Sequence, residues 1–197
     1  MPRRLPENLS QIHSEAMVAA ARVALDQGRT PAKKRNAHRD LVMVATGFCT
    51  GLRVFELCKL ELMHVDLVDR MIRVRLGKGA KDRDVPILEP LVPLLKEWIG
   101  ERTSGYLFPG PKGRRLSERQ FRDRLAAVAK RAGLLQRVYP HLMRHTFATS
   151  YLESNGEGSL RELQELLGHA SLQTTEIYLH VKPARLKRGV DRLPFKL

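Results

Sequence analysis

A single change in hydrophobic periodicity constrains the fold of this chain more than any other feature. Most of the 197 residues carry apolar positions three or four apart, which is typical of amphipathic helices. Through residues 72–76, however, apolar and basic residues alternate, and after a turn Val85 and Ile87 share one side. The sequence therefore predicts one antiparallel hairpin with a basic tip at residues 77–82, inside a mainly helical α+β domain.

Start and stop signals place helices on both sides of the hairpin. The signals are capping serine or asparagine residues, prolines in first turns and glycines at helix ends. In the first helix, Ile12, Ala16, Ala20 and Val23 are predicted to form the buried side. Asn36 is predicted to cap the second helix and Ser117 the helix that begins there, and Gly51 marks a break after the second. The predicted helices cover residues 10–26, 36–48, 54–60, 90–98 and 117–131, and another begins at Pro140.

The stretch from residue 141 to residue 178 is predicted as helix, loop, helix, tight turn and short helix. His141 and Arg144 are three residues apart, so they share a face of the first of these helices. Two further side chains suited to phosphate chemistry follow, His169 on the tight turn and Tyr178 on the last short helix.

The helix between them has its own boundary signals. Ser159 and Glu162 have the spacing of a capping box, and Gly168 stands where the helix should stop. Packing against its neighbours is predicted through four leucines, Leu160, Leu163, Leu166 and Leu167.

These residue types suit attack on a phosphodiester. Negative charge grows on the two non-bridging oxygens, and the guanidinium groups of Arg53 and Arg144 could hold them. Tyr178 is a candidate nucleophile, although a phenol with a pKa near ~10 needs positive surroundings or a base. Lys78, at the hairpin tip, is a candidate general acid. His141 and His169 are candidates for proton handling and oxyanion contacts.

The charge of the chain indicates a polyanionic partner. The net charge is +14 and the pI is about 10.4, and nucleic acid is the first candidate for so basic a surface. Residues 29–39 hold five basic and no acidic groups, and residues 112–131 hold eight basic groups. Residues 153–165 hold four glutamates and one arginine, so we expect that part to face away from DNA.

The sequence predicts a reduced, intracellular setting. There is no apolar run long enough to span a bilayer and no apolar core of a signal peptide at the N-terminus. Cys49 and Cys58 lie in apolar helical stretches and are predicted to be packed free thiols. The expected location is cytoplasmic and nucleoid-associated, with no membrane partner.

Five ordered motifs resemble those of a known family. They are TGLRVFEL, GKGAKDRDVP, HLMRHTFAT, LLGHAS and a tyrosine nine residues after His169. This series is similar, from about residue 41 to residue 180, to that of the tyrosine recombinases of the phage integrase family. The resemblance implies a catalytic set of Arg53, Lys78, His141, Arg144 and His169 with Tyr178 as nucleophile, supported by Glu56.

The resemblance also implies a mechanism and partners. The tyrosine joins the 3′ end of a cleaved strand of double-stranded DNA and frees a 5′-hydroxyl, with no cofactor and no metal. A homotetramer on two DNA sites, aided in some members by DNA-bending proteins, exchanges strands through a Holliday junction. The outcome is integration, excision, inversion or resolution.

The expected domain division follows the same resemblance. Residues 1–182 are predicted to form the catalytic domain, and residues 183–197 a tail that docks on a neighbouring protomer, with packing on its own domain as the alternative. The N-terminal DNA-binding domain usual in the family has no counterpart before the first motif. The layout is therefore similar to that of the short fimbrial phase-variation invertases, with a truncated longer protein as the alternative.

Three rival functions fit the sequence less well. A zinc phosphodiesterase would use His141 and His145, four residues apart, but Arg144 beside them would repel a dication. A DNA-binding regulator without catalysis would be expected to lack a catalytic residue, whereas all six positions are filled. A type IB topoisomerase shares the chemistry, but the GKG hairpin and LLGH motif resemble the recombinases more closely.

Overall fold

The computed structural model describes residues 9–75, 82–155, 159–168, 187 and 189–195. Their secondary structure is mainly helical, as the sequence predicts. The helices are α1 Gln11–Asp26, α2 Pro31–Thr50, α3 Val54–Lys59, α4 Leu91–Ile99, α5 Glu118–Arg131, α6 Pro140–Asn155 and α7 Leu160–Leu167. The strands are β1 Val65–Asp66, β2 Met71–Val74 and β3 Arg83–Pro86, in one antiparallel sheet of that order.

Helix α2 forms the centre of the domain. Residues 41–50 are all buried, and α2 packs against α1, α4, α5 and α6. A helix surrounded in this way must satisfy its own polar side chains. The hydroxyls of Thr46 and Thr50 do so by donating to backbone carbonyls four residues earlier, at 2.7 and 2.6 Å.

Helix α1 forms where predicted, but the predicted buried side is wrong. The buried residues are Ser14, Met17, Val18 and Ala21, whereas Ile12 is 76% and Val23 50% exposed. Alanines give this helix two possible apolar stripes. The observed one includes a serine, whose hydroxyl is satisfied at 2.8 Å by the carbonyl of Gln11.

Helix α2 begins earlier than predicted. Its cap is Thr30, which accepts a hydrogen bond from the Lys33 amide at 3.2 Å, and Pro31 occupies the first turn. The predicted cap at Asn36 is therefore wrong, and part of the basic stretch 29–39 lies on this helix. The predicted cap of α5 is confirmed: Ser117 forms a capping box with Gln120.

The predicted hairpin is confirmed as the pair β2–β3. Ile72 lies opposite Val85, and both side chains are fully buried. Strand β1, only two residues long, adds a third strand that the sequence did not predict. Lys78, at the predicted tip, lies outside the described residues.

The described part of the tail packs against its own chain. Val190, Leu193 and Phe195 are buried, and both carboxylate oxygens of Asp191 accept hydrogen bonds of 3.0 Å from Arg70. Docking of the tail on a neighbouring protomer stays a prediction.

Cys49 and Cys58 are buried free thiols, and burial raises the pKa of Cys58 to about 11. Among the described helices, none has the length and apolar character needed to cross a bilayer.

Candidate active site

Three arginine side chains converge on the C-terminal end of α7. Each donates a hydrogen bond to one backbone carbonyl: Nε of Arg83 at 2.7 Å, Nη2 of Arg144 at 2.6 Å and Nη2 of Arg53 at 3.1 Å. The acceptors are consecutive, namely Leu166, Leu167 and Gly168 in the same order. A helix end leaves such carbonyls unpaired and carries partial negative charge, so guanidinium groups stabilise it. We call these three side chains the arginine clamp.

The position of Arg53 follows from a break between α2 and α3. Gly51 ends α2 in the left-handed region with φ of 61°, and a Cβ there would lie 2.4 Å from the Phe147 ring. Glycine is therefore required on both grounds. Its carbonyl accepts a second hydrogen bond from Arg144, through Nη1 at 2.8 Å, so one short turn orients two members of the clamp.

Glu56 binds two members of the clamp from the opposite side. Its carboxylate accepts paired hydrogen bonds of 2.9 Å from Arg83, one of 3.2 Å from Nη1 of Arg53 and one of 2.7 Å from the Arg53 amide. The side chain is 1% exposed. Burial alone would raise the pKa of Glu56, but these hydrogen bonds and charges hold it below its ordinary value.

Arg144 is the most enclosed of the candidate phosphate ligands. The residue is 5% exposed, and burial together with repulsion from Arg53 lowers its pKa to about 10, against the attraction of Glu56. It therefore remains charged at neutral pH. Because three guanidinium groups surround one carboxylate, the clamp has excess positive charge, which suits a phosphate.

Four of the seven predicted site residues lie in the described part of the chain. Arg53, Glu56 and Arg144 are in one hydrogen-bonded cluster, and His141 is exposed one turn before Arg144 on α6. The other three, Lys78, His169 and Tyr178, lie outside the described residues. Their roles stay predictions. In sequence, His169 directly follows the last carbonyl that the clamp binds.

Sequence reasoning did not single out Arg83, although a signal was present. Arg83 and Val85 share one side of β3, and Ile87, directly after the strand, continues the alternation, so the arginine is on the same side as two core residues. A charged side chain at an inward position needs a buried partner. That partner is Glu56.

The predicted details of α7 are only partly correct. Gly168 ends the helix with φ of 62°, as predicted, and three of the four leucines are buried. Leu160 is instead 51% exposed. The side chain of Ser159 makes no capping hydrogen bond, so that half of the predicted capping box is wrong, and Glu162 accepts from the buried Tyr151 hydroxyl at 3.0 Å.

An open groove of about 270 Å³ begins beside Glu56. Basic side chains dominate its polar lining, although Glu61 also contributes; they are Lys59, His64, Arg73, Arg75 and Arg115. In the described ranges, no group of three or more histidine, cysteine or acidic side chains is placed to hold a metal ion.

Comparison with known proteins gives a consistent result. The phage integrase family matches residues 15–185. The tyrosine recombinase XerC of Xanthomonas axonopodis pv. citri is 35% identical over 193 residues, which cover 96% of this chain and 59% of that protein. The XerA recombinase structure is 32% identical with a TM-score of 0.74, covering 100% of this chain and 67% of that one. XerH bound to its difH substrate is 28% identical with a TM-score of 0.67, covering 85% and 48%.

The chain therefore belongs to the phage integrase family, and its α+β fold is that of a tyrosine recombinase catalytic domain. It spans between half and two thirds of the length of the curated relatives it matches.

Replacing Glu56 by glutamine should destabilise the fold by about 3–5 kcal/mol at neutral pH, because the buried Arg83 and the partly exposed Arg53 lose their charged partner. The pKa of Glu56 is depressed in the folded state, so its stabilising contribution is complete above the ordinary value of 4.5. That contribution is lost as the pH falls through the lower folded value. Urea unfolding of both proteins from about pH 3 to pH 7 should show the difference shrinking towards acid. The exposed Glu101→Gln variant is the control. If the stability difference between Glu56→Gln and the unsubstituted protein did not change with pH, this role of Glu56 would be contradicted.

Proposed function

We propose that this chain cleaves and rejoins double-stranded DNA at specific sites through a 3′-phosphotyrosyl intermediate. The observation that carries the proposal is the arginine clamp. Arg53 and Arg144 each have five N–H donors, of which two are engaged within the described residues. None of the other described residues accepts from the remaining donors, which can bind the non-bridging oxygens of a phosphate. Because backbone carbonyls already orient both groups, little reorganisation is needed when charge develops.

In the proposed first step, the Tyr178 phenolate attacks the scissile phosphorus. A bond forms between the phenolic oxygen and phosphorus, and the bond to the 5′-oxygen breaks. Lys78 supplies the proton for that leaving oxygen, while His141 and His169 share proton handling and oxyanion contacts. A 5′-hydroxyl from another strand then attacks the phosphotyrosine and releases Tyr178. One phosphodiester replaces another, so neither ATP nor a cofactor is consumed.

We assign the basic groove beside Glu56 to the DNA backbone. It is lined by lysine, histidine and arginine side chains and by Glu56, the partner of two clamp arginines, and fixed positive charge is the usual means of binding phosphates. The similar XerH structure is a complex with its difH DNA substrate, which supports duplex DNA as the partner here.

The assembly and outcome are proposed at the level of the family resemblance. Four copies act on two DNA sites through a Holliday junction, with integration, excision, inversion or resolution as the outcome and DNA-bending proteins as possible accessories. In that assembly, the tail of residues 183–197 exchanges the packing on its own chain, described for residues 190–195, for docking on a neighbouring protomer. The proposed location is the cytoplasm, at the nucleoid.

Footprinting first locates the recombination site. A nicked suicide duplex that carries this site then tests the proposal. Cleavage beside the nick releases a short oligonucleotide and traps the covalent intermediate. An SDS-stable protein–DNA adduct should form in the presence of EDTA with the unsubstituted protein and be absent with Tyr178→Phe. No adduct on a duplex that the protein binds, or an adduct retained by Tyr178→Phe, would contradict the proposal.

A further inference from the structure

We infer that Arg83 is a positioning residue for strand cleavage, one that holds two parts of the active site together without contacting DNA. This inference rests on the proposed function. The two terminal nitrogens of Arg83 donate to both Glu56 oxygens at 2.9 Å, and its Nε donates to the Leu166 carbonyl at 2.7 Å. The side chain is 7% exposed, so its hydrogen bonds are directed into the protein.

The contacts of Arg83 join three separate segments. Arg83 is the first residue of β3, Glu56 lies on α3, and Leu166 is at the end of α7. Only a planar guanidinium can bind a carboxylate in paired fashion while a third N–H reaches a carbonyl. The fold therefore ties the hairpin strand, the Arg53 segment and the residues before His169 through one side chain.

The packing around this side chain is close. Gly168 is in the left-handed region, and a Cβ there would lie 2.9 Å from Nη1 and 3.0 Å from Cδ of Arg83. The end of α7 is therefore fitted to the arginine by shape as well as by hydrogen bonds.

Arg53 depends on both parts that Arg83 holds. Its Nη1 donates to the Glu56 oxygen that also accepts from Arg83, and its Nη2 donates to the Gly168 carbonyl. If Arg83 is lost, these hydrogen bonds of Arg53 itself are what still connects Glu56 to the end of α7 among the contacts of the described residues. The Arg53 guanidinium then loses its orientation. Displacements of this kind slow a reaction without weakening substrate binding.

The test compares Arg83→Lys with the matched control Arg102→Lys. Arg102 also binds a helix end: it donates to the carbonyls of Trp98 and Ile99 at 2.9 and 3.2 Å, after α4. Both substitutions keep the charge and remove hydrogen bonds to backbone carbonyls, but only Arg83 belongs to the clamp. Single-turnover cleavage of the suicide duplex and the Kd for the intact duplex are measured at a temperature where melting curves show both variants folded.

We expect Arg83→Lys to cleave up to ~10²-fold more slowly with Kd changed at most about twofold, and Arg102→Lys to match the unsubstituted protein. Cleavage by Arg83→Lys within about threefold of the unsubstituted rate would overturn the inference, as would a Kd that rises as much as the rate falls. If both Arg83→Lys and Arg83→Gln fail to fold, the residue is structural and the inference is equally overturned. An unsubstituted protein that forms no adduct would instead refute the proposed function, so the two failures are distinguishable.

Discussion

Replacing Arg144 by lysine is expected to slow DNA cleavage by ~10²-fold or more while the affinity for duplex DNA changes little. Arg144 reaches the carbonyls of Gly51 and Leu167 at 2.8 and 2.6 Å with its two terminal nitrogens, and the residue is only 5% exposed. A lysine has a single ammonium group and cannot span both acceptors while facing a phosphate. Because charge on the non-bridging oxygens grows during attack, the loss should affect the transition state more than binding.

Two quantities are measured for each protein: the single-turnover rate of adduct formation and the Kd for the same duplex. Arg22→Lys, on the exposed side of α1, makes the same chemical change away from the clamp and serves as the control. Equal losses in rate and affinity would mean that Arg144 only anchors a phosphate in the ground state.

Replacing Phe195 by alanine is expected to lower the free energy of unfolding by about 3–5 kcal/mol. The phenyl ring is 6% exposed and lies 6.0 Å, centroid to centroid, from the ring of Phe48 on the central helix. The pair Arg70–Asp191 and the hydrogen bond from Gln11 to the Pro194 carbonyl hold the surrounding tail in place. Truncation of Phe195 should therefore leave a cavity against the core.

Urea denaturation at low protein concentration measures this effect on the single chain. Leu135→Ala removes a leucine side chain that is fully exposed and should change stability by less than about 0.5 kcal/mol. A similarly small effect for Phe195→Ala would show that the tail is not packed on its own chain in solution. That result would favour the proposed docking on a neighbouring protomer.

The parts of the fold that depend on local chemistry were predictable from the sequence. The break at Gly51, the cap at Ser117 and the end of α7 at Gly168 each follow from one residue type with one conformational preference. The β2–β3 hairpin was predictable for a similar reason. Apolar and basic residues alternate there, and such alternation is typical of a half-buried strand.

The predictions were wrong or incomplete where the local sequence is compatible with more than one arrangement and tertiary packing decides between them. Two apolar stripes on α1 are equally periodic, and only packing decides that Met17 is buried while Ile12 is exposed. The clamp could not be derived by spacing either. Its members come from three elements far apart in sequence, and they meet at backbone carbonyls, which no side-chain motif encodes. Motif order predicted Arg53, Glu56 and Arg144, but Arg83 required the structure.

The most direct test of the proposed mechanism is to identify the residue that becomes linked to DNA. After trapping on the suicide duplex, protease and nuclease digestion followed by mass spectrometry locates the modified peptide. The mechanism requires a nucleotide on Tyr178, joined through the 3′ end of the cleaved strand. Of the other three tyrosines, Tyr151 is fully buried against Glu162, whereas Tyr139 is 43% exposed and two residues from His141. A nucleotide on Tyr139 or any residue other than Tyr178, or a link to the 5′ end, would contradict it.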